Sequence, residues 1–270
     1  MTAPDVLTDV NALRLHRARA TELFLQEAAA DEIQDRLRLV NRPFTQPAFV
    51  TPFPEVWARR MPDATVCPDH DTLDLTAGNH DLVVHSLGLH WANDPVGQLI
   101  QCRRALKPDG LLLAASLGGR TLEELRSCLG QSEIARTGGL SPRILPMGEI
   151  RGLGALLQRA GLALPVADSF CLNVEYQDMW HLLRDLRAMG ESNALQARQR
   201  KFTPKGVFDK AAELYSDHFA TADARIAATF EVLFLTGWAP DESQQKPLRP
   251  GSAKQRLADA LVVPETPLPD

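Results

Sequence analysis

Apolar positions crowd most densely between Leu82 and Ser116. Leu82 to Leu87 is a short, nearly continuous apolar run, the pattern of a strand buried on both faces. Asp94 stands where a helix N-cap would, with Pro95 at the first helical position, where its missing N–H costs nothing. Val96, Leu99, Ile100 and Leu106 then fall near one helical face. Lys107-Pro108-Asp109-Gly110 reads as a turn, and Leu111 to Ser116 as a second buried strand. Strand, helix and strand over roughly 35 residues make a βαβ unit and hence a parallel sheet. Ligands of such open sheets bind beyond the carboxyl ends of the strands. That edge carries Ser86, His90, Trp91, Gly118 and Gly119.

The same patterning extends outward from this unit. Thr21 to Val40 has helical spacing at Leu23, Phe24, Ile33, Leu37 and Val40. Five prolines between 43 and 62 leave room for one short strand, Ala48 to Thr51, and Leu73 to Leu75 is a candidate for another. A helix is expected from Thr121, a loop at Gly138 to Arg143, and a helix from Met147 to Ala160 stopped by Gly161. Val166 to Tyr176 and Thr229 to Trp238 alternate as strands. Between them, over 178–225, two amphipathic helices are expected, marked by Met179 to Met189 and Val207 to Phe219. Residues 1–20 read as a solvated polar leader, 21–240 as the α/β domain, and 241–270 as a proline-rich tail with a small helix at 253–261.

Composition narrows the function. At 270 residues, 44% hydrophobic and 23% charged, the chain can bury a sizeable core. A net charge of −5 argues against a broad nucleic-acid-binding face. Cys67, Cys102, Cys128 and Cys171 form no Cys-x-x-Cys pair, which suits reduced thiols. No apolar run reaches the ~18 residues of a spanning helix, so a soluble, cytoplasmic protein is expected, with peripheral membrane contact left open. Cys67, Asp69, His70 and Asp71, or His85 with His90, lack recognised metal-ligand spacing and read as polar loop residues, so no metal is expected.

Asp81-Leu-Val-Val-His-Ser-Leu-Gly-Leu-His-Trp91, the Asn93-Asp94 pair and Leu106-Lys-Pro-Asp-Gly110 together resemble the back half of class I S-adenosylmethionine-dependent methyltransferases. Further motifs resemble the group of mitochondrial complex I assembly factor 5 and its bacterial relatives, which is arginine-hydroxylase-like. They are Gly118 to Arg126, Gly138 to Arg143, Leu156 to Gly161, Asp185 to Asn193 and Thr236 to Trp238. The malonyl-carrier-protein methyltransferase of biotin synthesis is a more distant likeness. The resemblance implies a Rossmann-like, seven-stranded α/β sheet with a helical insert before its last strand. The first half is degenerate: Phe49-Val-Thr-Pro-Phe-Pro-Glu-Val56 has no glycine where the family has Asp/Glu-x-Gly-x-Gly-x-Gly. Only Asp63 or Asp69 can stand for the ribose-binding acid, and the segment before the fourth strand is about ten residues short for two further βα units.

The resemblance also implies a site. Thr51, Phe53, Ser86, Leu87 and His90 would contact S-adenosylmethionine if it binds, and His90 is the candidate for proton transfer. Gly118, Gly119, Arg126, Arg143, Glu191, Ser192 and Asn193 would face a substrate or a protein partner, a complex I subunit by resemblance. Three classes of function stay open: a methyltransferase, an arginine-modifying assembly factor, and a non-catalytic relative that has lost cofactor binding. The plainer alternative for these residues is turns, caps and solvated surface.

Overall fold

The apolar run at Leu82 lies near the centre of a six-stranded sheet in the computed structural model, which describes residues 6–245. The strands are β1 (Pro47–Val50), β2 (Thr65–Cys67), β3 (His80–His85), β4 (Leu106–Leu117), β5 (Ala163–Tyr176) and β6 (Ile226–Trp238). Their spatial order is β2-β1-β3-β4-β6-β5. The first four run parallel, and β6 is antiparallel to both of its neighbours.

Alternation along the central strands sends side chains into two cores. Phe49, Leu82, Val84, Leu111, Leu113 and Phe234 face one layer. That layer holds α2 (Phe24–Leu39), α3 (Pro54–Arg60), α5 (Glu123–Thr137), α7 (Met179–Ala188) and α8 (Lys205–Phe219). Ala48, Val50, Val83, Leu112, Ala114 and Leu235 face the other, against α4 (Pro95–Ala105) and α6 (Ile150–Arg159). The chain is therefore an α/β protein with two parallel βα connections, a βαβ centre and two helices inserted before the last strand. Asp94 caps α4 by accepting from the Gly97 N–H at 2.8 Å, with Pro95 in the first turn. Gly161 follows α6 at φ +76°, the left-handed position that glycine fills without strain.

Five expectations need correction. The sheet has six strands among the described residues, not seven. After β2, residues 68–79 run to β3 without a helix or strand, and Leu73 to Leu75 is not a strand. Gln98 and Gln101 of α4 hold this stretch by its backbone: Gln101 donates to the Asp71 carbonyl at 2.9 Å and accepts from the Leu73 N–H at 2.9 Å. Twelve residues pinned in this way cannot also form a βα unit. Lys107 to Gly110 is not a free turn but an irregularity inside β4, whose register against β3 shifts there, with Asp109 at φ +56°.

The proline-rich segment holds α3, because Pro54 falls at a first-turn position, where a proline is harmless. Trp57 of this helix stacks on Phe49, ring centroids 4.1 Å apart. Finally, the expected solvated leader contains α1 (Val10–Arg17), capped by Asp9 and burying Leu13 beside Trp91 and Leu195. Thr8 takes the Asn93 side chain through its N–H at 2.9 Å and bridges to Leu195. The small helix expected at 253–261 lies outside the described residues.

Phe234 is fully buried, with the Arg36 guanidinium 3.7 Å above its ring. Replacing it by alanine removes a core side chain at the junction of β4, β6 and β5. Urea unfolding of Phe234→Ala should show a loss of about 3–5 kcal/mol.

Candidate functional site

Above the carboxyl ends of the parallel strands lie two open spaces that share Trp91 in their walls. The first is a cleft of about 520 Å³ between the end of β4, the start of α5, the loop after α5 and the helical insert. Its walls are mainly apolar: Leu117, Leu122 and Leu125 on one side, Trp180, Leu183 and Phe208 on the other. Arg143, Glu191, Ser192 and Asn193 line it as well. The second is a chamber of about 730 Å³ between α1 and the ends of β1 and β2, lined in part by Leu13, Arg17, Phe53 and Asp69.

Two carboxylates organise the cleft. Glu191 follows Gly190, which ends the α7 segment at φ +77° and lies so close to α1 that a Cβ there would meet the Arg17 Cα at 3.0 Å. Its Oε2 accepts the Trp91 indole N–H at 2.6 Å and faces His90 Nε2 at 3.4 Å. Burial pushes the Glu191 carboxyl up, but His90, the nearby Arg17 charge and the Trp91 N–H pull it down further. The net direction is below the ordinary glutamate value. Glu133 of α5, almost fully buried, holds the loop that follows its helix. It accepts from the Ser141 N–H and hydroxyl at 2.9 and 2.8 Å and from Arg143 Nε and Nη2 at 3.2 and 2.6 Å. Arg143 reaches on to the Thr203 hydroxyl at 2.9 Å and lies over the Phe208 ring. Asn193 donates to the Pro142 carbonyl at 2.9 Å, tying the two loops together.

The residues singled out from sequence divide three ways. Arg143, Glu191, Ser192 and Asn193 converge on the cleft. Gly118, Gly119 and Arg126 do not line it. A Cβ on Gly118 would meet Glu231 at 2.5 Å, and one on Gly119 would meet Glu149 at 2.5 Å, so these glycines permit close packing of the chain on itself. Arg126 donates to the carbonyls of Gly119, Thr121 and Leu145 and acts as a staple beneath the cleft.

The remaining group lies at the strand ends. Thr51 is buried, donates its N–H to the Cys67 carbonyl and accepts from the Phe53 N–H at 3.2 Å. Ser86 is buried with no hydroxyl partner among the described residues, and Leu87 carries a left-handed φ of +47°. His90 has a side chain only 1% exposed and lines neither space, so its contact is with Glu191 and not with a ligand in either. His85, pushed below its ordinary value by burial, pairs Nε2 with the Gln98 carbonyl oxygen at 2.7 Å, which fixes it as a neutral donor.

Sequence reading missed the far wall, Trp180, Leu183, Leu186 and Phe208. The helical spacing of α7 was visible, but not the cleft that it closes. Arg17 of α1 was also missed. It pairs with both oxygens of Asp69, at 3.1 and 2.9 Å, and its Nε and Nη2 have no partner among the described residues. No group of three or more His, Cys, Asp or Glu that could hold a metal occurs among the described residues.

The methyltransferase-domain family matches residues 49–114, from β1 to the middle of β4. The mitochondrial arginine-hydroxylase NDUFAF5 of Dictyostelium discoideum is 42% identical over 180 residues, 66% of this chain and 41% of that protein. The protein of that name from Danio rerio is 38% identical over 199 residues, 74% of this chain and 62% of that protein. The malonyl-acyl-carrier-protein O-methyltransferase of a Methylovorus species is 34% identical over 175 residues, 65% of this chain and 56% of that protein. The chain thus contains a methyltransferase domain over residues 49–114 and is similar to these arginine hydroxylases over 66% to 74% of its length. It spans 41% and 62% of the length of the first two relatives.

Methyltransferase-type ancestry implies S-adenosylmethionine, and the residues at the end of β1 do not fit its usual cradle. Thr51-Pro-Phe-Pro54 offers no glycine, two of its positions have no N–H, and the Phe53 N–H is spent on Thr51. Asp69, the acid nearest the end of β2, is engaged by Arg17.

The Glu133–Arg143 pair makes the cleft's outer loop sensitive to acid. Burial raises the Glu133 carboxyl, but Arg143 and Ser141 outweigh it, and its folded value lies below the ordinary one. Its stabilisation is therefore complete above the unfolded value of about 4.3 and is lost as pH falls through the lower folded value. Glu133→Gln should cost about 1–3 kcal/mol at pH 7. Urea midpoints measured from pH 7 downward should fall less steeply in this variant than in the parent.

Proposed function

We propose that this chain is a protein-modifying or assembly factor for respiratory complex I that takes an arginine-type side chain of a protein partner into the cleft. The observation that carries this reading is Glu191. One carboxylate oxygen is held by Trp91 and His90, while among the described residues Oε1 accepts no hydrogen bond, and Glu191 is the one acid in a mainly apolar lining that also holds Arg143, already paired with Glu133, and Arg184 and Arg187 at its edge. A guanidinium on an aliphatic stem matches such a space: its stem lies along Leu122, Leu125 and Leu183, and its N–H groups reach the acid. The names of the arginine-hydroxylase relatives support the same side chain. The four cysteines, free of disulfides, support a reducing, cytoplasmic compartment for this chain. No described helix is long and apolar enough to cross a membrane, which agrees with a partner met from the aqueous side.

The second reading is a binding and assembly protein without chemistry of its own. Pro52, Pro54 and the Arg17–Asp69 pair favour it, since together they take away the strand-end contacts that a methyl donor would use. Titration with S-adenosylmethionine and S-adenosylhomocysteine in a calorimeter separates the readings. The missing backbone donors are worth on the order of 1 kcal/mol each, so binding weaker than low micromolar is expected. Tight binding would sink the second reading.

Glu191→Gln keeps the shape of the side chain and removes its charge. In a host whose own copy is deleted, the parent chain should restore complex I activity and this variant should not. In solution the variant should bind an arginine-containing peptide about tenfold or more weakly, the scale of a lost charge-assisted hydrogen bond. Equal binding and full restoration would reject the cleft as the site.

A further inference from the structure

Beside the mouth of the cleft lies a depression of about 370 Å³ lined by His16, Arg19, Arg184, Arg187, Ala188 and Ser192. Arg184, Arg187 and Ser192 line the cleft as well, so the two spaces adjoin. The cations come from two separate elements. His16 belongs to the last turn of α1, with Arg19 just beyond it, while Arg184 and Arg187 stand three apart on one face of α7. His16 is anchored by a 3.2 Å contact of its Nδ1 with the Ser192 carbonyl, which leads directly to Glu191.

Other arginines around the site are matched to acids: Arg17 to Asp69, Arg143 to Glu133 and Arg198 to Asp9. Arg19, Arg184 and Arg187 are exposed, and among the described residues their side chains make no ion pair or hydrogen bond. The nearest acid on α7, Asp185, accepts from the Tyr176 hydroxyl at 2.7 Å instead. In a chain of net charge −5, cations gathered around one depression and left unneutralised form a local positive field that reaches about 8 Å at physiological salt.

We propose that this cluster docks acidic residues of the same protein segment whose side chain enters the cleft, an inference that rests on the reading of the cleft given above. The two spaces share Arg184 and Arg187, and Glu191 is the one acid lining either of them. Glu191 inside favours a cation, while the arginines at the rim repel an approaching basic segment. The arrangement therefore selects a cationic side chain flanked by carboxylates and rejects a polybasic one. An extended segment advances about 3.3 Å per residue, so acids one to three residues from the inserted side chain reach the depression. Arginine forks accept such carboxylates in pairs of parallel hydrogen bonds.

The test uses fluorescence anisotropy with short, capped, labelled peptides in a serine and glycine background. One has a central arginine flanked by glutamates, a second has glutamines in their place, and a third has the glutamates but leucine for arginine. The full chain should bind the glutamate peptide about tenfold tighter than the glutamine peptide, with the advantage disappearing at ~0.5 M salt. R184E/R187E, both on exposed positions, should abolish that advantage while its circular dichroism and melting stay those of the parent. Glu191→Gln should weaken both arginine peptides and leave their ratio unchanged. Equal binding of glutamate and glutamine peptides, no binding by the glutamate peptide, or a ratio that survives in R184E/R187E overturns the proposal. If the leucine peptide binds as well as its arginine counterpart, the reading of the cleft fails while docking of acids stands. Vesicles of phosphatidylcholine with added phosphatidylglycerol form the last arm. Sedimentation with them, without any peptide preference, assigns the cluster to a lipid surface and also overturns the proposal.

Discussion

A carboxylate taken out of water must be met by donors, and the way Glu191 is met sets the geometry of this protein's strand-end face. The cost of an unpaired buried charge is several kcal/mol, so the donors cannot be incidental. They come from the short turn after β3, through the Trp91 indole and His90. Glu191 itself sits just past Gly190, whose left-handed conformation lets the chain turn against α1. One side chain thus joins the βαβ centre to the helical insert and, through Gly190, to the N-terminal helix. A cleft can exist there only because those three pieces are held at a fixed separation.

Glu133 repeats the solution on the opposite side. Four hydrogen bonds from Ser141 and Arg143 fold the loop after α5 back onto its own helix. Asn193 then connects that loop to the Glu191 segment through Pro142. The two acids differ in what they leave over. Glu133 is fully engaged by its own loop, whereas Glu191 keeps one oxygen uncommitted toward the cleft. The same residue type therefore serves scaffolding in one place and recognition in the other, and the number of available donors decides which.

The centre of the fold was legible because local signals agreed there: an unbroken apolar run, a capped helix with proline in its first turn, and a second apolar run. β2 and α3 were not, because Thr65-Val-Cys67 is too short to show a period and the prolines read as leaving room for one short strand only, where Pro54 in fact starts a helix. Helix α1 escaped for a different reason. It buries only Leu13 and leaves Val10 and Leu15 exposed, so its attachment depends on Thr8, Asp9 and Arg17 meeting partners far away in sequence. For the site, motif spacing singled out Arg143 and Glu191, and both line the cleft. It could not distinguish them from Arg126, Gly118 and Gly119, because a staple and a contact residue look alike until the direction of the side chain is known.

That distinction bears on what the sheet offers a ligand on either side of Trp91. At the end of β1, Pro52 and Pro54 offer no N–H, the Phe53 N–H is bonded to Thr51, and Arg17 pairs with Asp69 beside β2. Nothing comparable has closed the cleft on the other side of Trp91, where apolar walls, an open carboxylate oxygen and unmatched arginines at the rim remain. Each of these features carries a thermodynamic cost in an isolated chain: exposed apolar surface, an acid with unused hydrogen-bonding capacity, and mutually repelling cations. Costs of the same kind collected at one place are those that a bound partner relieves together, by covering the apolar walls, donating to the acid and neutralising the rim. The chemistry of that partner is thus written in what the cleft leaves unsatisfied.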